Sequence, residues 1–233
     1  MTTPQEFSPG LVIQRFTPPL TLSAFKAIAF DMDSTLINIE CIDEIADAVG
    51  KKAEVAAITE AAMRGEIADF KESLTRRVAL LKGVPAEALQ SVYDQRLKIN
   101  PGAQNLIDAA KATGLQTLLV SGGFTFFADR VKARLGMHEA HSNLLDIEGG
   151  LLTGRVLGDI VDGLAKQQHL LALCARIGCH PQQSIAVGDG ANDLLMMGSA
   201  GLSVAYHAKP KVREQAMVAI NAGGLDRLLE VLA

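Results

Sequence analysis

Short apolar runs alternate with amphipathic stretches along most of this chain. Four runs have the length and composition of buried strands, at residues 27–30, 115–120, 184–187 and 201–205. Helical periodicity separates them, at about residues 102–113, 123–135, 163–177, 191–198 and 209–218. Strands that alternate with helices form parallel sheets. The pattern therefore predicts an α/β fold with a Rossmann-like, three-layer core.

Three segments depart from this alternation. Residues 37–100 hold several helical stripes and no convincing strand, which predicts a small helical cap inserted after the first core strand. Such caps cover an active site and exclude water, and here the core would be residues 1–36 and 101–233. Residues 137–157, with Gly149-Gly150 in the middle, predict a β-hairpin at the sheet edge. Residues 1–24 form an N-terminal extension in which 11–13 could be an edge strand.

Composition excludes several classes of protein. The chain has 233 residues, 48% of them hydrophobic, which suffices for a core and a small accessory domain. A net charge of −4, 4% aromatic residues and no Trp disfavour a nucleic-acid partner. We find no secretory signal and no apolar run of the roughly 20 residues that a membrane span requires. Three cysteines without a Cys-x-x-Cys pair favour reduced thiols, so we expect a cytoplasmic protein without a membrane partner.

Two acids follow the first core strand directly. Asp31 and Asp33 come after the apolar run 27–30, and alternation in an extended chain would put both on one side. Carboxylates held so close repel each other unless a cation or a shared proton intervenes. Mg²⁺ is the usual cation where phosphate is the other ligand.

Three more polar clusters follow predicted strands or begin a predicted helix: Ser121-Gly122-Gly123, Lys166, and the run 188–193. Ligands of open parallel sheets bind beyond the carboxyl ends of the strands, so we expect the clusters to converge. Together they predict phosphoryl transfer.

Each residue type suits one role in that chemistry. Asp31 would attack phosphorus and form an aspartyl-phosphate, while Asp33 would protonate the leaving oxygen and later activate water. Ser121 and the N–H of Gly122 would hold phosphoryl oxygens, because glycine allows close approach. Lys166 would offset negative charge.

Asp189 would complete a metal site with Asp31 and Asp33. Asp193 would support that site from behind, with Gly190 beside it.

The chain carries four elements in order: Asp31-x-Asp33, Ser121, Lys166, and Gly188-Asp189 followed by Asp193. This series resembles the signature of the haloacid dehalogenase superfamily of phosphatases. Further runs, which begin at Glu40, Met63 and Ser73, are similar to those of its members that act on phosphoserine, and the match covers about residues 26–220. The resemblance implies Mg²⁺-dependent hydrolysis of O-phospho-L-serine to L-serine and phosphate through an aspartyl-phosphate, the last step of serine biosynthesis. It leaves a monomer or a homodimer open.

Other functions remain as alternatives. The nearest is a phosphotransferase, or a phosphatase acting on another small phosphomonoester. A non-catalytic phosphate-binding module would not need the full set of acids. A sugar-nucleotide enzyme with an Asp-x-Asp metal clamp leaves Lys166 and Gly188-Asp189 unexplained.

The resemblance also implies a substrate clamp, in which Glu40 meets the ammonium and an arginine of the cap meets the carboxylate. Glu40 could instead only favour the start of a helix. At ~100° per residue, Arg77 points within ~20° of Phe70 on the apolar stripe, whereas Arg76 points ~120° away, so we predict Arg77. The remaining candidates for lining the site are Asn192, Gly190, Met63 and Phe70.

Overall fold

A computed structural model shows a mixed sheet with helices on both faces. It describes residues 3–64, 66–67 and 69–233. The strands are β1 (Gln5–Ser8), β2 (Leu11–Ile13), β3 (Ala27–Phe30), β4 (Gln116–Phe124), β5 (Glu139–Glu148), β6 (Leu151–Leu157), β7 (Ser184–Gly188), β8 (Leu202–Tyr206) and β9 (Val218–Ile220).

The helices are α1 (Cys41–Ala48), α2 (Lys52–Met63), α3 (Phe70–Ala79), α4 (Glu87–Gln95), α5 (Ala103–Ala112), α6 (Thr125–Leu135), α7 (Gly163–Ile177), α8 (Leu194–Ser199) and α9 (Pro210–Gln215). One apolar cluster joins α5 and α6 to one face of the sheet, through Ile107 and Phe127. A second cluster joins α7 and α8 to the other face, through Leu170 and Met196. The three-layer α/β prediction is confirmed.

The strand order puts the first core strand between the other two strands that lead into polar loops. Among the described residues the order is β1-β2-β9-β8-β7-β3-β4-β5-β6, and the pairs from β9 to β5 are parallel. After β3 the chain adds β4 and β5 on one side of that strand. It then crosses to pair β7 with the other side of β3. Because winding reverses between β3 and β7, the carboxyl ends of these strands open into a crevice.

Most predicted elements are found, and the exceptions have local causes. The hairpin is present as antiparallel β5 and β6. The prediction that residues 11–13 form an edge strand is wrong, because β2 lies between β1 and β9. Strand β4 continues to Phe124, beyond the predicted end at residue 120.

Two predicted helices are shorter than expected. The helix at 191–198 begins as a 3-10 turn at Ala191–Asp193, because the Asp193 side chain folds back onto the loop before it. The helix at 209–218 ends at Gln215, since residues 218–220 are apolar and pair with both β8 and β2.

Helices α1 to α4 form the insertion between β3 and α5. Its two connections pair at an isolated bridge between Ile37 and Ile99. The tip of the hairpin also binds the insertion, since Leu152 N–H donates to Val84 O at 2.8 Å. Over the described part of the chain, no helix has both the length and the apolar character needed to cross a membrane.

Candidate active site

Strand β3 delivers Asp31 to the carboxyl edge of the sheet. The Asp31 N–H donates to Val187 O at 2.9 Å, which continues the ladder one residue past the strand. The chain then turns, with Ser34 in the left-handed region at φ 57°. Asp33 therefore does not continue an extended strand, and its Oδ2 accepts a hydrogen bond from Cys41 N–H at 3.2 Å, at the start of α1.

A fully buried lysine faces Asp31. Lys166 Nζ lies 2.7 Å from Asp31 Oδ1 and 2.7 Å from Asp193 Oδ1. Burial alone would lower the pKa of Lys166, but the carboxylates of Asp193 and Asp31 raise it above its ordinary value. The lysine is therefore charged at neutral pH. Asp162 positions it by capping α7, where its side chain accepts from Ala165 N–H at 2.8 Å.

Asp193 fixes the loop that follows β7. Its Oδ2 accepts hydrogen bonds from Asp189 N–H at 3.1 Å and Gly190 N–H at 3.0 Å, while Oδ1 binds Lys166. A side chain at Gly188 would overlap the Asp193 carboxylate, so the close approach requires glycine. Because both oxygens of Asp193 are engaged, its position agrees with a supporting role.

Negative charge is concentrated beside this lysine. Ligand atoms of Asp31, Asp189 and Asp193 lie within 4.8 Å of one another. Burial, together with neighbouring acids, raises the pKa of Asp33 and of Asp189 to about 7, and that of Asp31 well above its ordinary value. Among the described residues, Asp33 Oδ1 is buried without a hydrogen-bond partner.

A hard divalent cation fits this environment. Its positive charge would offset carboxylates that one lysine leaves uncompensated, and carboxylate oxygens are the donors that it prefers. The group of three differs from the predicted ligand set, since it holds Asp193 where Asp33 was expected. Both oxygens of Asp193 already bind other groups, so we keep Asp33 as a candidate.

The end of β4 adjoins Asp33. Ser121 is buried, and its Oγ accepts from Gly123 N–H at 2.9 Å. A Cβ on Gly123 would lie 3.1 Å from both Asp33 Oδ2 and Ser121 Oγ. The Ser121 hydroxyl and the Asp33 carboxylate therefore both lie next to Gly123.

The insertion closes over the same point. A Cβ on Gly122 would lie 2.8 Å from Phe70 Cζ, so the Phe70 ring contacts the strand end directly. Arg77 is half-buried on the same helix, and the charges of Asp43, Glu40 and Asp33 act on it.

The other predicted residues lie as follows. Arg76 is exposed and pairs with Glu72 at 2.5 Å. Glu40 is exposed and accepts from Ser34 Oγ at 2.6 Å. Asn192 Oδ1 lies against Gly190. Met63 ends α2, and its side chain is outside the described residues.

Comparisons with known proteins agree with this geometry. A family model for haloacid dehalogenase-like hydrolases matches residues 25–201. Phosphoserine phosphatase of Polaromonas sp. (strain JS666) is 66% identical over 233 residues, covering 98% of this chain and 99% of that protein. The chain belongs to the phosphoserine phosphatase family of haloacid dehalogenase-like hydrolases.

Two further members of the family support this assignment. Phosphoserine phosphatase of Albidiferax ferrireducens is 64% identical over 232 residues, covering 98% of each chain. A solved structure described as a phospho-aspartyl intermediate analogue of phosphoserine phosphatase has a TM-score of 0.83 and 39% identity, covering 90% of this chain and 99% of that one. The resemblance predicted from the motifs is confirmed, and the chain is an enzyme.

Two polar residues of the site were not predicted from the sequence. Thr35 is fully buried, with Oγ1 3.4 Å from Asp189 Oδ1. Asn143 is buried in β5 and binds Gly122 O at 2.8 Å. The only available signal for Asn143 was a carboxamide in an otherwise strand-like segment.

Proposed function

We propose that this enzyme hydrolyses O-phospho-L-serine to L-serine and phosphate with the aid of Mg²⁺. The observation that carries the proposal is the buried contact of 2.7 Å between Lys166 Nζ and Asp31 Oδ1, placed beside further acids at the strand ends. The names of its relatives supply the substrate. The reaction would be the last step of serine biosynthesis.

In the first half-reaction, a carboxylate oxygen of Asp31 attacks phosphorus. The bond between phosphorus and the serine oxygen breaks, and an aspartyl-phosphate forms. Lys166 and the donors at Ser121 and Gly122 stabilise the negative charge on the phosphoryl oxygens. A structural relative described as a phospho-aspartyl intermediate analogue supports this route.

Asp33 is the proposed general acid and base. Because burial and the charge of Glu40 raise its pKa to about 7, a large share of the carboxyl holds a proton at neutral pH. It would donate that proton to the departing serine oxygen. It would then accept a proton from the water that attacks phosphorus and releases Asp31, and a pKa near the working pH suits both transfers.

Asp31, Asp33 and Asp189 are the proposed ligands of the cation, and Asp193 and Gly190 support them. When bound, Mg²⁺ would neutralise phosphate charge and lower the repulsion between the carboxylates. Asn192 would line the same region.

The helical insertion is proposed as a cap that recognises the serine end of the substrate. Glu40 would bind the ammonium, and Arg77 would bind the carboxylate through its planar fork. No carboxylate of the described residues lies within ion-pair distance of Arg77, although the charges of Asp43 and Glu40 act on it. Phe70 and Met63 would cover the substrate and exclude water.

The deciding experiment is release of phosphate from L-phosphoserine and from an aryl phosphate, each with Mg²⁺ and with EDTA. We expect Mg²⁺-dependent release that strongly favours phosphoserine. Release from the aryl phosphate alone would retain the chemistry and reject the serine assignment. Adding homoserine separates hydrolysis from phosphotransfer, because transfer would produce phosphohomoserine in place of free phosphate.

A further inference from the structure

The backbone of β4 is irregular where the proposed phosphate-binding groups lie. Val120 is paired with His141, and Phe124 is paired with Asn143. The residues in between on β4, including Ser121 and Gly122, therefore outnumber those opposite them, and they lack a regular ladder with β5. Their carbonyl groups need hydrogen-bond donors from elsewhere.

Asn143 supplies such a donor. Its side chain is 1% exposed, and Nδ2 donates to Gly122 O at 2.8 Å. Its Oδ1 accepts from Val161 N–H at 2.8 Å. One buried side-chain amide thus binds the backbone of two separate segments, the end of β4 and the loop before α7. The backbone O of Asn143 also accepts from Thr125 Oγ1 at 3.0 Å.

The loop before α7, which contains Val161, leads to the buried lysine. Val161 immediately precedes Asp162, the residue that caps α7, and Lys166 N–H donates to Asp162 O at 2.9 Å. The end of β4 and this loop are in contact, because a Cβ on Gly122 would lie 3.5 Å from Val161 O. Asn143 therefore sits at the junction between the phosphate-binding backbone and the start of the lysine helix.

We propose that Asn143 is a positioning residue, which holds Gly122 and the start of α7 at the spacing that lets both Gly122 and Lys166 meet one phosphoryl group. The role rests on the proposed function only in naming the phosphoryl group as the ligand. Residues that orient metal ligands from behind cost roughly 10- to 100-fold in metal affinity or activity when they are mutated, and we expect a loss of similar size for a residue that orients phosphate-binding groups.

Two variants test the two side-chain hydrogen bonds of Asn143. Asn143→Leu has similar volume and removes both side-chain hydrogen bonds. Asn143→Asp keeps an acceptor for Val161 N–H, but when ionised it puts an acceptor against Gly122 O. We expect both to lower kcat/KM about 10- to 100-fold, equally for phosphoserine and the aryl phosphate, and to raise the inhibition constant of inorganic phosphate.

A pH series distinguishes positioning from a loss of folding. When protonated, the introduced carboxyl is again a donor, so the ratio of Asn143→Asp to wild-type kcat/KM should rise as pH falls. The matched control is Thr117→Val in the same strand β4, which removes the contacts of the buried Thr117 hydroxyl with His138 Nδ1 at 2.9 Å and with His138 N–H at 3.0 Å. It should lower the melting temperature and leave kcat/KM and phosphate inhibition within about twofold.

The outcomes are distinct. Equal losses on both substrates with weaker phosphate inhibition, absent from the control, support the proposal. A folded Asn143→Leu variant with wild-type kcat/KM overturns it, and so does a folded Asn143→Asp variant whose loss of kcat/KM is the same at every pH. If Asn143→Leu fails to fold, Asn143→Asp decides. If the wild type cleaves only the aryl phosphate, the serine assignment fails, and the same variants still test Asn143 on that substrate.

Discussion

Arg76 and Arg77 are neighbours on α3 with opposite surroundings. Arg76 is exposed and bound to Glu72, whereas Arg77 is half-buried and its Nε donates to Ser73 O at 3.4 Å. Burial lowers the pKa of Arg77, and the negative charges of Asp43, Glu40 and Asp33 act in the opposite direction. Among the described residues no carboxylate lies within ion-pair distance of this guanidinium, which agrees with the proposal that it binds the carboxylate of the substrate.

We expect Arg77→Met to lower kcat/KM for phosphoserine by about 100-fold, because losing one partner of a buried charge pair costs about 2–5 kcal/mol. The aryl phosphate, which has no carboxylate, should lose only a few-fold. Arg76→Met is the matched control and should change neither substrate. Equal losses on both substrates would contradict a role in selectivity.

The chemistry of Asp31 permits a simpler test. Asp31→Asn preserves the shape of the side chain and removes the nucleophile, so phosphate release should fall to background. Circular dichroism and a melting curve would verify that the variant is folded. Substantial residual turnover would reject the assignment of Asp31 as the nucleophile.

For single residues, local motifs predicted Asp31, Asp33, Asp189 and Lys166. Each of them follows a strand or lies near the start of a helix, within a few residues. Asn143 could not be predicted in this way. Its role depends on the irregular register between β4 and β5, which pairs Phe124 with Asn143. No short-range pattern encodes such a pairing.

Helix α3 meets the end of β4 where the Phe70 ring lies against Gly122. Gly122 has an ordinary φ, so space and not backbone strain forbids a side chain there. A methyl group would press on the Phe70 ring, 2.8 Å from Cζ. It would therefore displace the Phe70 ring from the end of the strand.

We expect Gly122→Ala to lower kcat/KM by at least 10-fold, since displacement by about 1 Å can cost as much as 100-fold in rate. A second change, Phe70→Leu, shortens the opposing side chain and should recover part of the loss. Gly198→Ala has open space around it and is the matched control. Failure of Phe70→Leu to recover any activity would argue against this steric cause.

The arrangement of elements was predictable where one periodicity dominates. The run 27–30 is apolar throughout, and it forms β3 with the predicted bounds. The errors fall where tertiary pairing decides. β2 is internal only because β1 adds a further strand outside it, and β4 extends because Phe124 pairs with Asn143 of β5. The division into core and cap remains a prediction.

For the molecule as a whole, the buried acids couple folding to pH. Burial raises the pKa of Asp33 and Asp189 from 3.8 to about 7. Between these values the folded state holds protons that the unfolded state has released. The slope of unfolding free energy against pH is therefore negative for these two groups, and their ionisation destabilises the fold as pH rises through 7.

Mg²⁺ should reverse the part of that penalty that comes from Asp189, because it would bind the ionised carboxylate and compete with its proton. At a Mg²⁺ concentration of 100 Kd, binding contributes about 2.7 kcal/mol, which corresponds to about 5–10 °C in melting temperature for a chain of this size. We expect Mg²⁺ to raise the melting temperature by that amount at pH 8 relative to EDTA, and by less than half as much at pH 5 with the same Mg²⁺ concentration. Asp189→Asn should reduce the increment at pH 8. An equal increment at both pH values would mean that the cation binds elsewhere than at these carboxylates.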